Sequence, residues 1–514
     1  MINIPIYSLA YLYAATMGLD EVPVQDVRDV IINTGSGSTV IVTCTPGVNT
    51  GGCYNQNTGT EPELSMWACS NASADGRPVS VGLTQWETVA VALAADGAEE
   101  YARGAQDAGM LFTDTINTSA PELHGAGTAI GGVLGLGLRP DPSCVVESGE
   151  GPFMSILKAQ STAASGMLFA IDLVGAGMNG TLTLGGYDSS YDSLLRWSEH
   201  PAAILPRIYT FPLFGLSLCQ VQVFGKGIGS WPAVVDTGSA CLTLPAEAFD
   251  SVVAWAPVVQ RPCPVVDGQQ TCFVSPQQQG LPDLVFGMSH SGERLRIPLS
   301  DLLLGPELSD SSGNSRLCIR RGSPGIAAPD EDLHYFSQMP LIVLGSQCLK
   351  SMYAVFDADT GRVALANKAQ GLSPSDQVST QGCPAAATCP VGQRYNALLN
   401  TCNPPQCQAY YFHKYDESSG TCRLTLSFKT ALWVFAVLLG LTDLVSHCLK
   451  CYYGELVMRA NVQSTATAAS RQRNWWFLVG MKLVCFAHHN MVAVAVACRW
   501  FSTLLLTRYT FELS

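Results

Sequence analysis

Charge is what this sequence has least of. Its 28 Lys and Arg and 41 Asp and Glu make up 13% of 514 residues, where soluble globular proteins carry about 25%. That shortage excludes a disordered polyelectrolyte or a long coiled coil. With a formal net charge of -13, it also excludes an electrostatic grip on nucleic acid. Helical periodicity is scarce too, and the clearest short candidate is residues 246–254. The start lacks a basic n-region and a small-residue cleavage site, so the apolar residues 4–17 read as an opening β-strand and not as a signal peptide. Any route into a secretory compartment then rests on a membrane span or on residues outside this sequence.

Cysteine and glycine, by contrast, are plentiful. Nineteen cysteines point to an oxidising compartment. The length is enough for two to four domains with a large core. The few charges are also unevenly placed. Residues 423–514 hold nine Lys or Arg and three Asp or Glu, a net of +6, against -19 for the remainder. An acidic body joined to a basic, apolar tail implies an extracellular or lumenal body tethered to membrane lipid. Residues 430–449 form an apolar run of spanning length, broken near its end by Asp443 and His447. The loop beyond it carries Lys450, Arg459, Arg471 and Arg473 against Glu455, which assigns it to the cytoplasm. Residues 475–501 are a second apolar stretch, either a returning span or an interfacial helix.

Residues 1–370 read as all-β. Short apolar runs at 30–33, 40–43, 181–184, 221–224 and 341–344 are bounded by Gly, Pro, Asn and Asp. Residues 371–425 change character, with five cysteines at 383, 389, 402, 407 and 422. They read as a small disulfide-stapled stalk in which one cysteine pairs elsewhere or stays free. Cys44, Cys53 and Cys69 are most simply disulfide cysteines of the first half. In the tail, Cys448, Cys451, Cys485, His488, His489 and Cys498 include zinc-ligand types, but cysteines beside a span are more often plain or palmitoylated; no metal or cofactor is expected. Three N-x-[ST] sequons, at Asn71, Asn117 and Asn179, are compatible with a glycosylated, secreted body.

The informative feature is an internal repeat. Apolar residues lead into Asn33-Thr34-Gly35-Ser36, and again into Asp236-Thr237-Gly238-Ser239. Each is followed about a hundred residues later by two apolar residues and a glycine, Val133-Leu134-Gly135 and Val343-Leu344-Gly345. With these residues, and with Leu182–Asp188 (LTLGGYD), Leu281–Phe286 (LPDLVF) and Leu341–Ala366 (LIVLGSQCLKSMYAVFDADTGRVALA), the chain resembles the pepsin family of aspartic peptidases over roughly residues 10–367. The tethered layout is most similar to membrane-anchored members of the beta-secretase kind.

The resemblance implies a bilobal all-β body, with lobes at 1–195 and 196–370, then the stalk at 371–425 and the membrane-anchoring tail at 426–514. It implies a cleft that binds a polypeptide in extended conformation by strand-like pairing. It also implies a disulfide joining Cys272 and Cys318. In that family two carboxylates share one proton, because like charges about 3 Å apart cannot both ionise; pepsin is the standard case. One carboxylate acts as general base on water and the other, protonated, bonds the scissile carbonyl. Asp236, with Thr237, Gly238 and Ser239, fits one such loop, and Thr34, Gly35 and Ser36 fit the other.

Position 33, however, is Asn. An amide donates and accepts hydrogen bonds but does not exchange a proton in this pH range, and general acid–base catalysis is typically worth about 10²–10⁴-fold. Two further departures lie in the same lobe: Val40 stands where the family usually has Trp, and Ser73 aligns with the usual flap Tyr. The expectation is therefore an aspartic endopeptidase homologue impaired by Asn33, with an inactive peptide-binding pseudopeptidase or receptor as the alternative.

Overall fold

The structure is a computed structural model. It describes residues 1–9, 11–19, 25–44, 53–54, 71–72, 78–81, 84–89, 91–94, 101–104, 108–113, 116–117, 130–138, 151–162, 166–174, 179–199, 208–224, 230–266, 268–290, 294–322, 341–368, 378–390, 393–403, 413–416, 421–424 and 426–463. Two compact units emerge: Met1–Pro390 with Tyr395–Cys402, and Val391–Arg394 with Asn403–Ser514.

The first unit is mostly β, as its alternating short apolar runs require. Its middle is an antiparallel run of six strands in the order Arg196–Trp197, Arg362–Asn367, Met352–Asp357, Leu168–Asp172, Gly180–Leu184 and Ile2–Leu9. Residues 4–17, expected as one opening strand, are instead divided between two: Ile2–Leu9 pairs with Gly180–Leu184 and turns back into Leu12–Leu19. The junction between early and late segments is the pairing of Leu168–Asp172 with Met352–Asp357, which places Phe169 opposite Phe356. Their rings stack at 4.6 Å, and Phe153 and Tyr209 meet Phe169 edge-on. All four are fully buried, and aromatic pairs in such geometry add about 0.5–1.5 kcal/mol beyond burial. At the sheet end, Lys368 Nζ pairs with Asp172 at 2.6 Å, and burial pushes this lysine below its ordinary pKa. Gly185, in the Leu182–Asp188 segment, has φ +73°; a Cβ there would lie 2.7 Å from Gln160 O, which is why the turn needs glycine.

The same motif is built twice, once in the continuation of this sheet and once in a separate sheet. In the first half, Gln25–Asn33 runs parallel to Gly132–Gly135, with Asn33 opposite Gly135, and Val40–Val42 returns antiparallel to the same Gly132–Gly135 strand. In the second half, Trp231–Asp236 runs parallel to Ile342–Gly345, with Asp236 opposite Gly345, and Leu242–Leu244 returns beside it. The sequence repeat is thus a structural repeat. The helix expected at 246–254 is Ala246–Trp255, packing Phe249, Val252 and Trp255 into the core.

The disulfides correct one expectation. Cys272 and Cys318 are both bonded, but not to each other: the pairs are Cys263–Cys272 and Cys241–Cys318. The reason is topological. Leu242–Leu244 lies parallel to Ile319–Arg321, bringing Cys241 beside Cys318, while Cys263 and Cys272 bracket the hairpin formed by Val265–Val266 and Gln269–Gln270. Cys44 bonds Cys53, and Cys69 lies outside the described residues.

The boundary at 371 also moves. Cys383 is the stalk cysteine that pairs elsewhere, with Cys219. Ser379 bonds Leu281 and Asp283, and Trp255 Nε1 donates to Ala397 O at 2.7 Å. Residues 378–390 and 395–402 therefore belong to the first unit, stapled further by Cys389–Cys402.

Among the described residues, the second unit contains a hairpin, His413–Asp416 against Thr421–Leu424, and one helix, Leu426–Gln463, of 38 residues. Within it Trp433–Gly454 is long and apolar enough to cross a membrane, a window shifted a few residues past the expected 430–449. The stretch 475–501, with Cys485, His488, His489 and Cys498, lies outside the described residues.

The cross-links differ in the loops they close: 164 residues for Cys219–Cys383 and 9 for Cys44–Cys53. Loop-closure entropy gives about 5 and about 2.6 kcal/mol respectively. Removing Cys219 and Cys383 together should therefore cost about twice as much as removing Cys44 and Cys53 together. Denaturant titration of the two double alanine variants measures this ratio, and equal losses contradict it.

Candidate active site

Two strands end in the same four-residue turn and meet at their tips. Thr34 and Thr237 are fully buried there and exchange bonds reciprocally. Thr34 Oγ1 donates to Val235 O at 2.7 Å and accepts from Thr237 N at 3.1 Å. Thr237 Oγ1 donates to Ile32 O at 2.7 Å and accepts from Thr34 N at 3.1 Å. Threonine suits this position because one hydroxyl both donates and accepts, and its branched Cβ holds the rotamer.

The residue before each threonine carries the chemistry. Asp236 Oδ1 accepts from Gly238 N at 2.9 Å, and Oδ2 accepts from Ser239 Oγ at 2.7 Å. Asn33 Oδ1 accepts from Gly35 N at 2.8 Å, so its amide reproduces the first of these bonds without charge. The second bond has no counterpart. Ser36 Oγ accepts from Ser38 N at 3.2 Å, and Asn33 Nδ2 has no hydrogen-bond partner among the described residues. Asp236 is fully buried and Asn33 8% exposed.

The glycines explain how the two head groups come so close. A Cβ on Gly35 would lie 2.5 Å from Asp236 Cγ, and one on Gly238 would lie 2.5 Å from Asn33 Cγ. Each side chain therefore rests on the glycine of the opposite loop, and glycine is required at both positions because of this close approach.

Behind the loops, further groups fix their backbone. Leu136 N donates to Asn33 O, and Gly137 N to Ser36 O; Ser346 N donates to Ser239 O, and Gln347 N to Ala240 O. Ser346 Oγ and Gln347 Nε2 also reach Tyr11 O at 2.6 and 3.0 Å, tying the turn after Ile2–Leu9 to the Asp236 loop. Tyr11 Oη donates to Glu307, and burial followed by that carboxylate raises its pKa to about 12. Tyr11, Ser346 and Gln347 are positions that sequence reasoning missed. Ser346 and Gln347 directly follow the apolar-Gly element, and that adjacency was the available signal.

Thus Asn33, Thr34, Gly35, Ser36, Asp236, Thr237, Gly238 and Ser239 converge as their repeat suggested. Val40 stands in the Val40–Val42 strand. Ser73, the flap candidate, lies outside the described residues. Asn179 is exposed before Gly180–Leu184, while Asn71 and Asn117 fall in the short strands Asn71–Ala72 and Ile116–Asn117.

Residues 21–368 match the family model described as eukaryotic aspartyl protease. Among solved structures, an aspartic proteinase from Irpex lacteus aligns with 73% of this chain and 99% of its own, at 14% identity and a TM-score of 0.48. A comparison with curated proteins returns no match.

Replacing Thr34 by Val removes one hydroxyl and strands the Val235 carbonyl and the Thr237 amide in a dry interior. This should cost roughly 2–4 kcal/mol, whereas Thr34→Ser should cost less than half as much. Equilibrium unfolding of both variants measures the difference; a Val variant as stable as the Ser variant contradicts the reading.

Proposed function

We propose, for a chain that belongs to the eukaryotic aspartyl protease family, the function of a membrane-anchored aspartic endopeptidase homologue whose peptide-bond hydrolysis is impaired at one position. The observation that carries the proposal is Asn33: it stands opposite Gly135 as Asp236 stands opposite Gly345, in an intact loop. Asp236 keeps the role of general base, with its second oxygen oriented by Ser239. The partner role needs a proton that can be given up and recovered, and the Asn33 amide holds its protons throughout this pH range.

A second reading is favoured by the Gly35–Asn33 bond. The amide satisfies its loop as a carboxylate would, so the cleft architecture survives without the chemistry. That describes a pseudopeptidase or receptor that binds an extended polypeptide by strand-like pairing.

The anchoring half of the proposal rests on the helix Leu426–Gln463 and its apolar window Trp433–Gly454. The disulfides and the excess of Lys and Arg from Lys450 to Arg473, of which Lys450 and Arg459 lie within the helix, support a body outside the cytoplasm. Glycans at Asn71, Asn117 or Asn179 would be consistent with that side of the membrane.

Casein or a peptide library, digested by the full chain from about pH 3 to about pH 7, tests the catalytic half. Asn33→Asp should cleave at least ~10²-fold faster than the natural chain, and Asp236→Ala should abolish whatever the natural chain cleaves. Equal rates for the natural chain and Asn33→Asp overturn the impairment.

A further inference from the structure

Away from the paired loops, the first unit concentrates its apolar surface. Among its described residues, the large apolar side chains that stand out into solvent, Met1 aside, fall in two places. Val259, Val265 and Val266 stand at the hairpin bracketed by Cys263–Cys272, with Val265 67% exposed and Val259 55%. Tyr395, Leu398 and Leu399 stand at or beside the turn 397–400, with Leu398 46% exposed.

Both places are fastened to one helix, Ala246–Trp255. Its Trp255 Nε1 and Ser251 Oγ donate to the carbonyls of Ala397 and Leu398, at 2.7 and 2.8 Å. Arg261 donates to the carbonyls of Val253 and Ala256, at 3.2 and 2.5 Å, and so fixes the chain that enters the hairpin. At the turn, Asn396 Oδ1 accepts from Leu398 N, and Asn400 Oδ1 accepts from Tyr395 Oη and Ala387 N. Polar groups are thus engaged by the body, while the six apolar side chains are left outside. They bracket the end of the helix, and apolar surface gathered in this way marks an interaction site.

Two observations say what covers this surface. First, segments 257–273 and 395–402 hold one cation, Arg261, and one anion, Asp267, in a body whose net charge is strongly negative. A neutral, apolar face is the part of an acidic body that an anionic surface repels least. Second, the chain passes from Cys402 to the apolar window at Trp433 through residues 403–432, 30 in all. A bilayer crossed by that window stays within reach, at the effective concentration that a short connection sets. We infer that Val259, Val265, Val266, Tyr395, Leu398 and Leu399 insert into the lipid interface of the membrane that the chain's own helix crosses. The valines and leucines enter the acyl boundary, and Tyr395, its hydroxyl bonded to Asn400, keeps its ring at headgroup level. This inference rests on the membrane-anchored reading above and adds to it the face of the body that meets the lipid.

The test uses the full chain in nanodiscs of phosphatidylcholine and phosphatidylserine, made with and without lipids brominated near the top of the acyl chain. Leu398→Trp and Val266→Trp each add one indole to the patch, and Ser190→Trp adds one at an exposed site away from it. The fluorescence of the natural chain is subtracted from each. Bromine should remove at least about a third of the added emission from both patch variants and leave that of Ser190→Trp unchanged. If the chain enters the discs and either patch variant is quenched no more than Ser190→Trp, the inference fails while the anchoring reading stands. If the added emission shifts to the blue without quenching, and does so only with two copies per disc, a second copy covers the patch and the inference fails. If the chain stays out of the discs, the anchoring reading fails and takes the inference with it.

Discussion

The reciprocal exchange between Thr34 and Thr237 is the constraint on which the rest of the site depends. Four hydrogen bonds tie two strand tips from distant parts of the chain, and all of them are buried, where an unmade bond costs the full desolvation of its partners. None involves a charge. The bonds set the separation of the two loops, and that separation sets everything in front of them. It makes Gly35 and Gly238 obligatory and brings residues 33 and 236 face to face.

A site held together in this way tolerates the loss of one carboxylate. Asn33 keeps the bond to Gly35 and gives up only the second, for which its amide has no lone pair. Chemistry and architecture are therefore separable here: the loop is satisfied and the proton exchange is gone. The same substitution relieves the like-charge conflict that a second buried carboxylate beside Asp236 would create at neutral pH.

The double loop was legible in the sequence because it occurs twice in the same order, each time with its apolar-Gly partner. Periodicity located the strands around it and the helix at 246–254. The disulfides were not legible, since a cysteine pairs with what the topology brings near. Cys241 faces Cys318 only because Leu242–Leu244 lies parallel to Ile319–Arg321. The limit of the body was missed for a related reason. Residues 378–402 are polar and cysteine-rich, as a stalk would be, yet Cys383 and the carbonyl of Ala397 are claimed by Cys219 and Trp255, far away in sequence. Tyr11 escaped notice because its role in the Asp236 loop is carried by a backbone carbonyl, which any residue type possesses.

The central claim is that Asn33 leaves an uncharged but intact half-site within charge-coupling reach of Asp236. Thermal unfolding of the natural chain and of Asn33→Asp across acid to neutral pH tests it most directly. In the variant, one member of the pair should have a folded-state pKa above its unfolded value. Its contribution to stability is then fully present below the unfolded carboxylate pKa and lost as pH rises through the folded one. The account predicts equal stability in acid and a deficit of roughly 2–4 kcal/mol for Asn33→Asp near neutral pH. Two unfolding curves that stay together at every pH would contradict it.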